Sequence, residues 1–285
     1  MAELTSMTSS PSAKPFDWRN LGLRAASTAI LAPLVVLIVW FGGWPFYLLV
    51  LVAAGMLTFE WGQMSAPDSA VRTALTMGLS LAAAAVLAAT KQYQAAWIVL
   101  AAGAAAAAVL AGFRHWADRP ADAAFGVVYI GAPLVALIWL RNDPSSGRAW
   151  TMMLLGIAWG ADIAAFAVGN LLKGPKLWPR ISPNKTWSGF IAGLLAAVAA
   201  GEALAAYSQG QITPPPSWAA VVGLAGGLAT MAGDLVESMM KRRFGVKDSG
   251  QLIPGHGGLL DRVDGLLFAV LVIAAARLVA GGVLS

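Results

Sequence analysis

The acidic residues of one apolar run near the C-terminal end are spaced to share a helical face. Asp234, Glu237, Ser238 and Lys241 stand at positions i, i+3, i+4 and i+7. In a helix, Asp234 would lie about 10 Å from the helix end, at a depth where lipid disfavours a carboxylate. Two interpretations follow: a structural ion pair within the helix bundle, or a ligand of a divalent cation in a water-accessible cavity. We favour the cation ligand.

Basic residues and a glycine-rich loop come directly after this run. Residues 241–247 read Lys-Arg-Arg-Phe-Gly-Val-Lys and are followed by Asp248. Alone, such a segment is also typical of an anchor at the cytosolic end of a membrane helix. The loop Pro254-Gly255-His256-Gly257-Gly258 favours a phosphate-binding role over a simple membrane anchor, because its backbone N–H groups could approach phosphate oxygens. His256 is either an acid–base group or a loop hydrogen-bonding residue.

Two further carboxylates, Asp261 and Asp264, open the last apolar run at positions i and i+3. Magnesium prefers one or two carboxylates together with phosphate oxygens and water. Metal coordination is therefore the natural role of this pair, although capping of a helix N-terminus would explain one of them.

The stretch from Ser238 to Asp264 resembles the signature of the phosphatidate cytidylyltransferase family. That pattern has a serine, then Lys-Arg, four free positions, Lys-Asp, Pro-x-His-Gly-Gly and Asp-Arg-x-Asp, and this chain matches it throughout. A second block, Ser182-Pro183-Asn184-Lys185-Thr186-Trp187-Ser188-Gly189, is similar to the family's Ser-Pro-x-Lys-Thr-Trp-x-Gly stretch. Upstream, Asp162 is followed by Phe166 where the family usually has tyrosine, by Asn170 where a basic residue is common, and Ser188 stands in place of a frequent glutamate.

The resemblance and the spacing together give a set of candidate site residues. The candidate catalytic residues are Asp234, Asp261, Lys241, Asp248 and His256. The candidate substrate and phosphate ligands are Ser182, Lys185, Thr186, Ser238, Arg242, Lys247, Gly257, Gly258 and Arg262. The candidate metal ligands are Asp234, Asp261, Asp264, Asp162 and Glu237. Alternatives stay open for two of these residues, since Lys185 could be a cytosolic anchor and Asp162 a helix-packing hydrogen-bond partner.

The reaction that the resemblance implies is transfer of CMP from CTP to phosphatidate, which gives CDP-diacylglycerol and pyrophosphate. The nucleophile is a phosphate monoester whose second pKa is about 6, so it needs no strong general base. Two polyanions must meet, so positioning and charge neutralisation should carry the catalysis. The resemblance implies Mg²⁺ as cofactor, leaves a second cation open, and implies a homodimer in the inner membrane of a bacterium.

Composition determines what kind of elements position these residues. Of the 285 residues, 58% are hydrophobic and 12% charged, whereas soluble proteins have about 25% charged residues. A membrane-spanning helix needs roughly 20 apolar residues. The chain has about nine such runs and is predicted to be an all-α, polytopic membrane helix bundle. The runs lie near Ala25–Phe41, Trp44–Phe59, Ala74–Thr90, Ala95–Phe113, Ala123–Leu140, Trp150–Leu172, Trp187–Tyr207, Trp218–Met240 and Leu266–Val283.

The basic residues predict the orientation of this bundle. With a cytosolic N-terminus, all but Lys91, Arg141, Arg148 and Arg277 of the 19 lysines and arginines fall on the cytosolic side. The active site should then face the cytoplasm. Residues 1–20 are predicted to form a mobile cytosolic tail and residues 21–285 a single transmembrane domain, with the catalytic part at 150–270. Apart from Glu60, the first five runs contain almost no ionisable residue, which indicates a mostly structural N-terminal half.

Other functions would fit parts of this pattern. An ion-coupled transporter also places acids within the membrane, but it favours paired broken helices in two related halves. A lipid-binding scaffold would not need both the acids and the basic cluster. A related lipid enzyme, such as a polyprenol kinase or a CDP-alcohol phosphotransferase, is the nearest alternative. Nothing in the composition indicates a nucleic-acid partner, since the net charge of +5 is explained by topology.

Overall fold

The structure is a computed structural model that describes residues 18–114, 119–179, 181–208, 216–250, 252 and 257–283. Within these residues the chain forms nine α-helices, one short 3₁₀ helix and one two-stranded hairpin, so the all-α prediction is confirmed. The helices are α1 Trp18–Phe41, α2 Gly43–Ser65, α3 Ala70–Ala89, α4 Tyr93–Phe113, α5 Pro120–Arg141, α6 Gly147–Leu172, α7 Trp187–Tyr207, α8 Pro216–Arg243 and α9 Leu260–Val283.

Eight of the nine described helices, α2 to α9, are long and apolar enough to cross a membrane. Many large apolar side chains on them are exposed, as expected when lipid rather than water surrounds the bundle. The described apolar part of α1 is shorter and runs from Ala29 to Phe41. The protein is therefore a multi-pass membrane protein. Helix α1 begins at Trp18, inside the segment that we predicted as a tail, and residues 1–17 lie outside the described part.

Several helix ends differ from the predicted apolar runs. A 3₁₀ helix at Pro67–Ser69 leads into α3, which begins at Ala70 rather than Ala74. Helix α8 continues through the basic residues to Arg243, and α9 begins six residues earlier than predicted, at Leu260. Hydropathy marks the part of a helix inside lipid, whereas backbone hydrogen bonding continues into the polar interface. The candidate acids at 261 and 264 are therefore inside α9, on its first turns.

Small residues allow the C-terminal helices to pack closely. A methyl group on Gly201 would lie 2.8 Å from the Ala219 carbonyl oxygen, and one on Gly223 would lie 2.7 Å from the Ala197 carbonyl oxygen. These contacts bring the backbones of α7 and α8 together, as is common between membrane helices. The N-terminal helices instead surround a core of larger side chains that includes Trp61, which is completely buried.

The one β-hairpin of the described part lies between α6 and α7. Strand β1, Lys176–Trp178, pairs in antiparallel fashion with strand β2, Ser182–Thr186. The sequence placed this segment between the sixth and seventh apolar runs without assigning it a secondary structure, and the structure forms a hairpin there. Its short strands pair with each other, so they satisfy backbone hydrogen-bonding groups locally.

Candidate active site

The site lies where α8 and α9 touch, close to the ends that are joined by the glycine-rich loop. A methyl group on Gly233 would lie 2.4 Å from the Asp264 carbonyl oxygen, and one on Gly265 would lie 2.9 Å from the Thr230 carbonyl oxygen. Side chains larger than hydrogen at these two positions would separate the helices. The glycines therefore place Asp234 and Asp264, each next to one of them in sequence, at the same helix–helix contact.

Three acids from three helices form what we term the carboxylate cluster: Asp162 of α6, Asp234 of α8 and Asp264 of α9. Each of the three interacts electrostatically with at least one of the others. Asp264 is almost fully buried, and its Oδ1 accepts a hydrogen bond of 2.7 Å from the Gly265 N–H. The side chain of Asp234 is 38% exposed and so remains open to a ligand. The sequence predicted all three as metal ligands, and the structure brings them together.

Lys185 places a positive charge within the carboxylate cluster. It stands on β2, and its Nζ lies 2.5 Å from Oδ2 of Asp234. It also interacts electrostatically with Asp162 and Asp264. The next residue, Thr186, caps α7, since its Oγ1 accepts a hydrogen bond from the Gly189 N–H at 3.2 Å. The hairpin and this cap together fix the position of Lys185. The sequence predicted Thr186 as a phosphate ligand, whereas in the structure its hydroxyl caps α7.

Lys241 organises a second group of acids at the end of α8. Its Nζ lies 2.6 Å from Oε2 of Glu237, one helical turn earlier, and 2.6 Å from Oδ1 of Asp261 on α9. The Glu237 side chain is only 2% exposed. A buried acid with a salt-bridge partner avoids the cost of an isolated charge. In this arrangement Glu237 and Asp261 hold Lys241, although the sequence predicted both acids as metal ligands.

The described end of the glycine-rich loop, Gly257 and Gly258, lies against Asp261. Oδ2 of Asp261 accepts hydrogen bonds from the Ser249 N–H at 3.1 Å, the Ser249 hydroxyl at 2.9 Å and the Gly258 N–H at 3.1 Å. Gly257 has a φ of +83°, a conformation that favours glycine. The Gly258 N–H therefore already has a carboxylate acceptor in this structure. The sequence predicted it as a donor to substrate phosphate.

Glu60 is the residue that sequence reasoning missed most clearly. It lies near the end of α2, is completely buried, and accepts hydrogen bonds from the Leu259 and Leu260 N–H groups at 2.7 and 2.8 Å. The Ser249 hydroxyl lies 3.3 Å from its Oε2. Glu60 thus caps the N-terminus of α9 from another helix. The sequence feature that could have identified Glu60 is its position at the end of the second apolar run, because the apolar runs of the N-terminal half contain no other acid.

A second missed pair also joins the two halves of the chain. Asp122, buried on the first turn of α5, forms an ion pair with Arg243 at the end of α8. The Asp122 carbonyl oxygen accepts a hydrogen bond of 3.0 Å from the Trp61 indole N–H. Hydropathy placed the start of the fifth run at Ala123, so Asp122 was outside the predicted helix. The N-terminal half therefore supports the site through specific polar contacts, and not through packing alone.

The remaining predicted site residues differ in their exposure and contacts. The side chains of Arg242, Lys247 and Asp248 are exposed and make no hydrogen bond or ion pair with another residue in the described ranges. Ser182 and Ser238 are half-buried, and Arg262 interacts electrostatically with Asp162. His256 lies outside the described residues. The exposed basic side chains of Arg242 and Lys247 could receive a soluble polyanion.

The donor set of the carboxylate cluster fits a magnesium ion that is shared with substrate. In the described part of the chain, no three acidic, histidine or cysteine side chains are grouped closely enough to hold a metal by themselves. Magnesium does not need such a group, because it retains water and takes phosphate oxygens as ligands. Asp234 and Asp264 would supply two hard oxygen donors to such an ion. Close by, the buried Oε1 of Glu237 has no hydrogen-bond partner among the described residues.

Comparison with known proteins identifies the family of the chain. The model of the cytidylyltransferase family matches residues 22–279. A Brucella suis protein named phosphatidate cytidylyltransferase is 37% identical over 252 residues, which cover 88% of this chain and 90% of its own length. A Rickettsia bellii protein of the same name is 31% identical over 90% of both chains, and a Bacillus subtilis one is 39% identical over 50% of this chain and 52% of its own. The chain, with its paired carboxylate and lysine groups in a membrane bundle, belongs to the cytidylyltransferase family.

Proposed function

We propose that this protein transfers CMP from CTP to phosphatidate and so makes CDP-diacylglycerol and pyrophosphate. The observation that carries the proposal is the joining of acids and lysines from α6, α8, α9 and the hairpin at one end of a membrane bundle. Such a site suits a water-soluble polyanion and a lipid-borne phosphate, because both need charge neutralisation where water meets lipid. Relatives that share most of this chain's length carry the name of that activity.

In the proposed reaction, an oxygen of the phosphatidate phosphate forms a bond to the α-phosphorus of CTP. The bond from that phosphorus to the bridging oxygen of the β-phosphate breaks, and pyrophosphate leaves with the electron pair. Lys185 and Lys241 would each exchange a carboxylate partner for phosphate oxygens. Glu237 and Asp261 hold Lys241 in place before substrate arrives. Arg262 and the exposed Arg242 and Lys247 would bind the outer phosphates.

Magnesium would be held by Asp234 and Asp264, and Asp162 is close enough to add negative charge to this site. When bound, the ion would neutralise charge on the phosphates and on the leaving pyrophosphate. Asp234 must release Lys185 for this to occur, so the ion pair between them would be an arrangement that precedes substrate binding. The partly exposed Asp234 side chain can make this exchange with little movement of α8.

The proposed orientation places the site at the cytoplasmic face of a bacterial inner membrane. The lysines and arginines that flank the helices are concentrated at the end that holds the hairpin and the glycine-rich loop, which supports a cytoplasmic site by the positive-inside rule. The relatives named above are bacterial. CTP would then reach the site from the cytosol, while the acyl chains of phosphatidate remain in the inner leaflet.

The position of the label in CTP separates this reaction from its nearest alternatives. Purified protein in detergent is given phosphatidate and CTP labelled at either the α- or the γ-phosphorus. Cytidylyl transfer puts the α-label into lipid and the γ-label into pyrophosphate. A lipid kinase, such as one acting on a polyprenol, would instead put the γ-label into lipid. A transporter or scaffold would label no lipid. Lipid labelled only by γ-phosphorus, or not labelled at all, would refute the proposal.

The assignment of the acids is tested by removing one charge at a time. Asp234→Asn and Asp261→Asn should each abolish transfer while the protein accumulates to normal levels, because the first loses a magnesium ligand and the second releases Lys241. Glu202→Gln is the matched control, since Glu202 is exposed on α7 away from both groups. Chelation of magnesium should stop the wild-type reaction, and added magnesium should restore it. Wild-type turnover in either aspartate variant would remove that residue from the mechanism.

A further inference from the structure

A cavity of about 370 Å³ opens at the end of the bundle opposite the carboxylate cluster. It lies where α1 meets α2 and where α5 meets α6, and its walls include Trp40, Tyr47, Arg141, Asn142 and Arg148. None of these residues belongs to the motifs of the sequence analysis. The volume is within the usual range for sites that bind small ligands. The cytidylyltransferase reaction gives this cavity no role.

Helix lengths show how far the cavity lies from the proposed site. Gly43 lines the cavity at the start of α2, and Glu60 contacts the glycine-rich loop 17 residues later, a rise of about 25 Å along the helix. Arg148 and Asp162 are separated by about 21 Å along α6. These distances approach the thickness of the hydrocarbon core of a bilayer, about 30 Å. The cavity therefore lies at the other membrane interface.

Two arginines provide the cavity with positive charge. Arg141 is fixed by hydrogen bonds from its Nε to the Val39 carbonyl oxygen at 2.8 Å and from its Nη2 to the Trp40 carbonyl oxygen at 3.1 Å. Arg148 is exposed and lies over the Trp40 ring, 4.6 Å from its centroid. The two guanidinium groups are close enough to repel each other. Within the described ranges, neither forms an ion pair with a carboxylate.

The acid nearest to these arginines is already engaged elsewhere. Asp143 lines the same cavity, but its Oδ2 forms an ion pair with Arg277, and its Oδ1 accepts hydrogen bonds from Ser145 and Ser146. Burial alone would raise the pKa of Asp143, but these hydrogen bonds and the Arg277 charge lower it to about 2. Asp143 therefore stays ionised and bound to Arg277, and it leaves Arg141 and Arg148 for another anion.

Glycine at position 42 makes room for this arrangement. Gly42 has a φ of +68°, and a methyl group there would lie 2.2 Å from Nη2 of Arg141. The turn between α1 and α2 thus accommodates the guanidinium directly against its backbone. Asn142, next in sequence, is fixed by hydrogen bonds with Tyr47 at 2.7 Å and with the Ala88 carbonyl oxygen at 3.1 Å. The cavity is consequently preorganised by contacts from four helices.

We propose that this cavity binds the phosphate group of a membrane phospholipid from the leaflet opposite the proposed active site. Arginine is the side chain best suited to phosphate, because its planar donors match two phosphate oxygens. The aromatic side chains of Phe41 and Trp44, at the rim, are 77% and 74% exposed. Exposed aromatic rings are typical of the level at which lipid head groups lie. The acyl chains would extend from the cavity along the apolar surface of α1 and α2.

The test measures stabilisation of the purified full-length protein in detergent by three probes. These are dioctanoyl phosphatidylglycerol, dioctanoylglycerol without a phosphate, and inorganic phosphate. We expect saturable stabilisation of the wild type by the phospholipid alone. Arg148→Gln should weaken the apparent affinity about tenfold or more, because a charge-assisted phosphate contact is lost. Lys91→Gln removes one charge from the same side of the bundle, outside the cavity, and should leave the affinity unchanged. CTP-dependent activity should be unaffected in both variants.

Each alternative outcome decides against the proposal. Equal stabilisation by dioctanoylglycerol would show that the acyl chains are recognised and the phosphate is not. Saturation by inorganic phosphate at the same site would assign the cavity to a soluble anion instead of a lipid. Equal affinities of the wild type and Arg148→Gln would mean that Arg148 merely packs on Trp40. The comparison of the three probes on the wild type remains valid even if the variant is unstable.

Discussion

Glu60 offers the sharpest test of how the N-terminal helices support the site. Its carboxylate accepts hydrogen bonds from the Leu259 and Leu260 N–H groups and from Ser249, so both of its oxygens face donors. Glu60→Gln preserves the shape but replaces one oxygen by an NH₂ group that faces a donor. A lost hydrogen bond to a charged group costs about 1.5–3 kcal/mol. Loss of the negative charge at the α9 N-terminus adds roughly 0.3–1 kcal/mol.

The resulting destabilisation, roughly 2–4 kcal/mol, is local to the start of α9. This is the turn that carries Asp261 and, through it, positions Lys241. Misplacement of a substrate-binding group by about 1 Å can lower a rate about 100-fold. We therefore expect Glu60→Gln to lower CTP-dependent lipid labelling by about 10- to 100-fold and to lower the thermal unfolding midpoint. Ser249→Ala removes the single hydroxyl donor that lies within reach of both Glu60 and Asp261, and it should show a smaller effect of the same kind.

The measurement compares Glu60→Gln with Glu202→Gln, in purified form, at saturating CTP and phosphatidate. Glu202 is exposed, so its variant controls for the loss of one negative charge. If Glu60→Gln retained the activity and the unfolding midpoint of the control, the helix-capping role of Glu60 would be wrong. A lower midpoint with unchanged activity would mean that the carboxylate stabilises α9 without positioning the site.

Two further predictions concern packing and pH. Gly233→Ala should lower the free energy of unfolding by about 1–3 kcal/mol and reduce activity, because its methyl group would lie 2.4 Å from the Asp264 carbonyl oxygen. In the control variant Gly55→Ala the methyl group would meet no atom within 4 Å, so no loss of stability is expected. Equal unfolding midpoints of the two variants would contradict this reasoning. The pKa of Asp143 is lowered in the folded protein, so its stabilising contribution is present above about pH 4 and is lost as the pH falls towards 2. Arg277→Gln should therefore weaken the dependence of the unfolding midpoint on pH in that range, and an unchanged dependence would argue against the ion pair.

The sequence determined the nature of the protein and the location of its chemistry. Scarce charges and long apolar runs can be accommodated only by a helix bundle in lipid, and this is decided by composition without any tertiary detail. The helical spacing of Asp234, Glu237 and Lys241 was sufficient to place them on one face of α8. The signature from Ser238 to Asp264 was specific enough to indicate the family, which the comparisons confirmed.

The division of the acids into two groups was decided only by tertiary structure. Asp261 and Asp264 are three residues apart in sequence and were predicted as one pair of metal ligands. In the fold, Asp261 turns to Lys241 and the glycine-rich loop, whereas Asp264 joins Asp162 and Asp234. Local spacing states which side chains share a helical face. It does not state which other helix that face meets.

Contacts over long sequence distances were likewise invisible in the sequence. Glu60 lies about 200 residues from the backbone N–H groups that it binds, and Asp122 is paired with Arg243 across 121 residues. No periodicity or motif links residues so far apart, because their proximity follows from the way in which the nine described helices pack. Composition and local spacing therefore indicated a membrane helix bundle with its acids near one end, and the resemblance of the motifs indicated the cytidylyltransferase family. The packing of the helices decided which charge neutralises which.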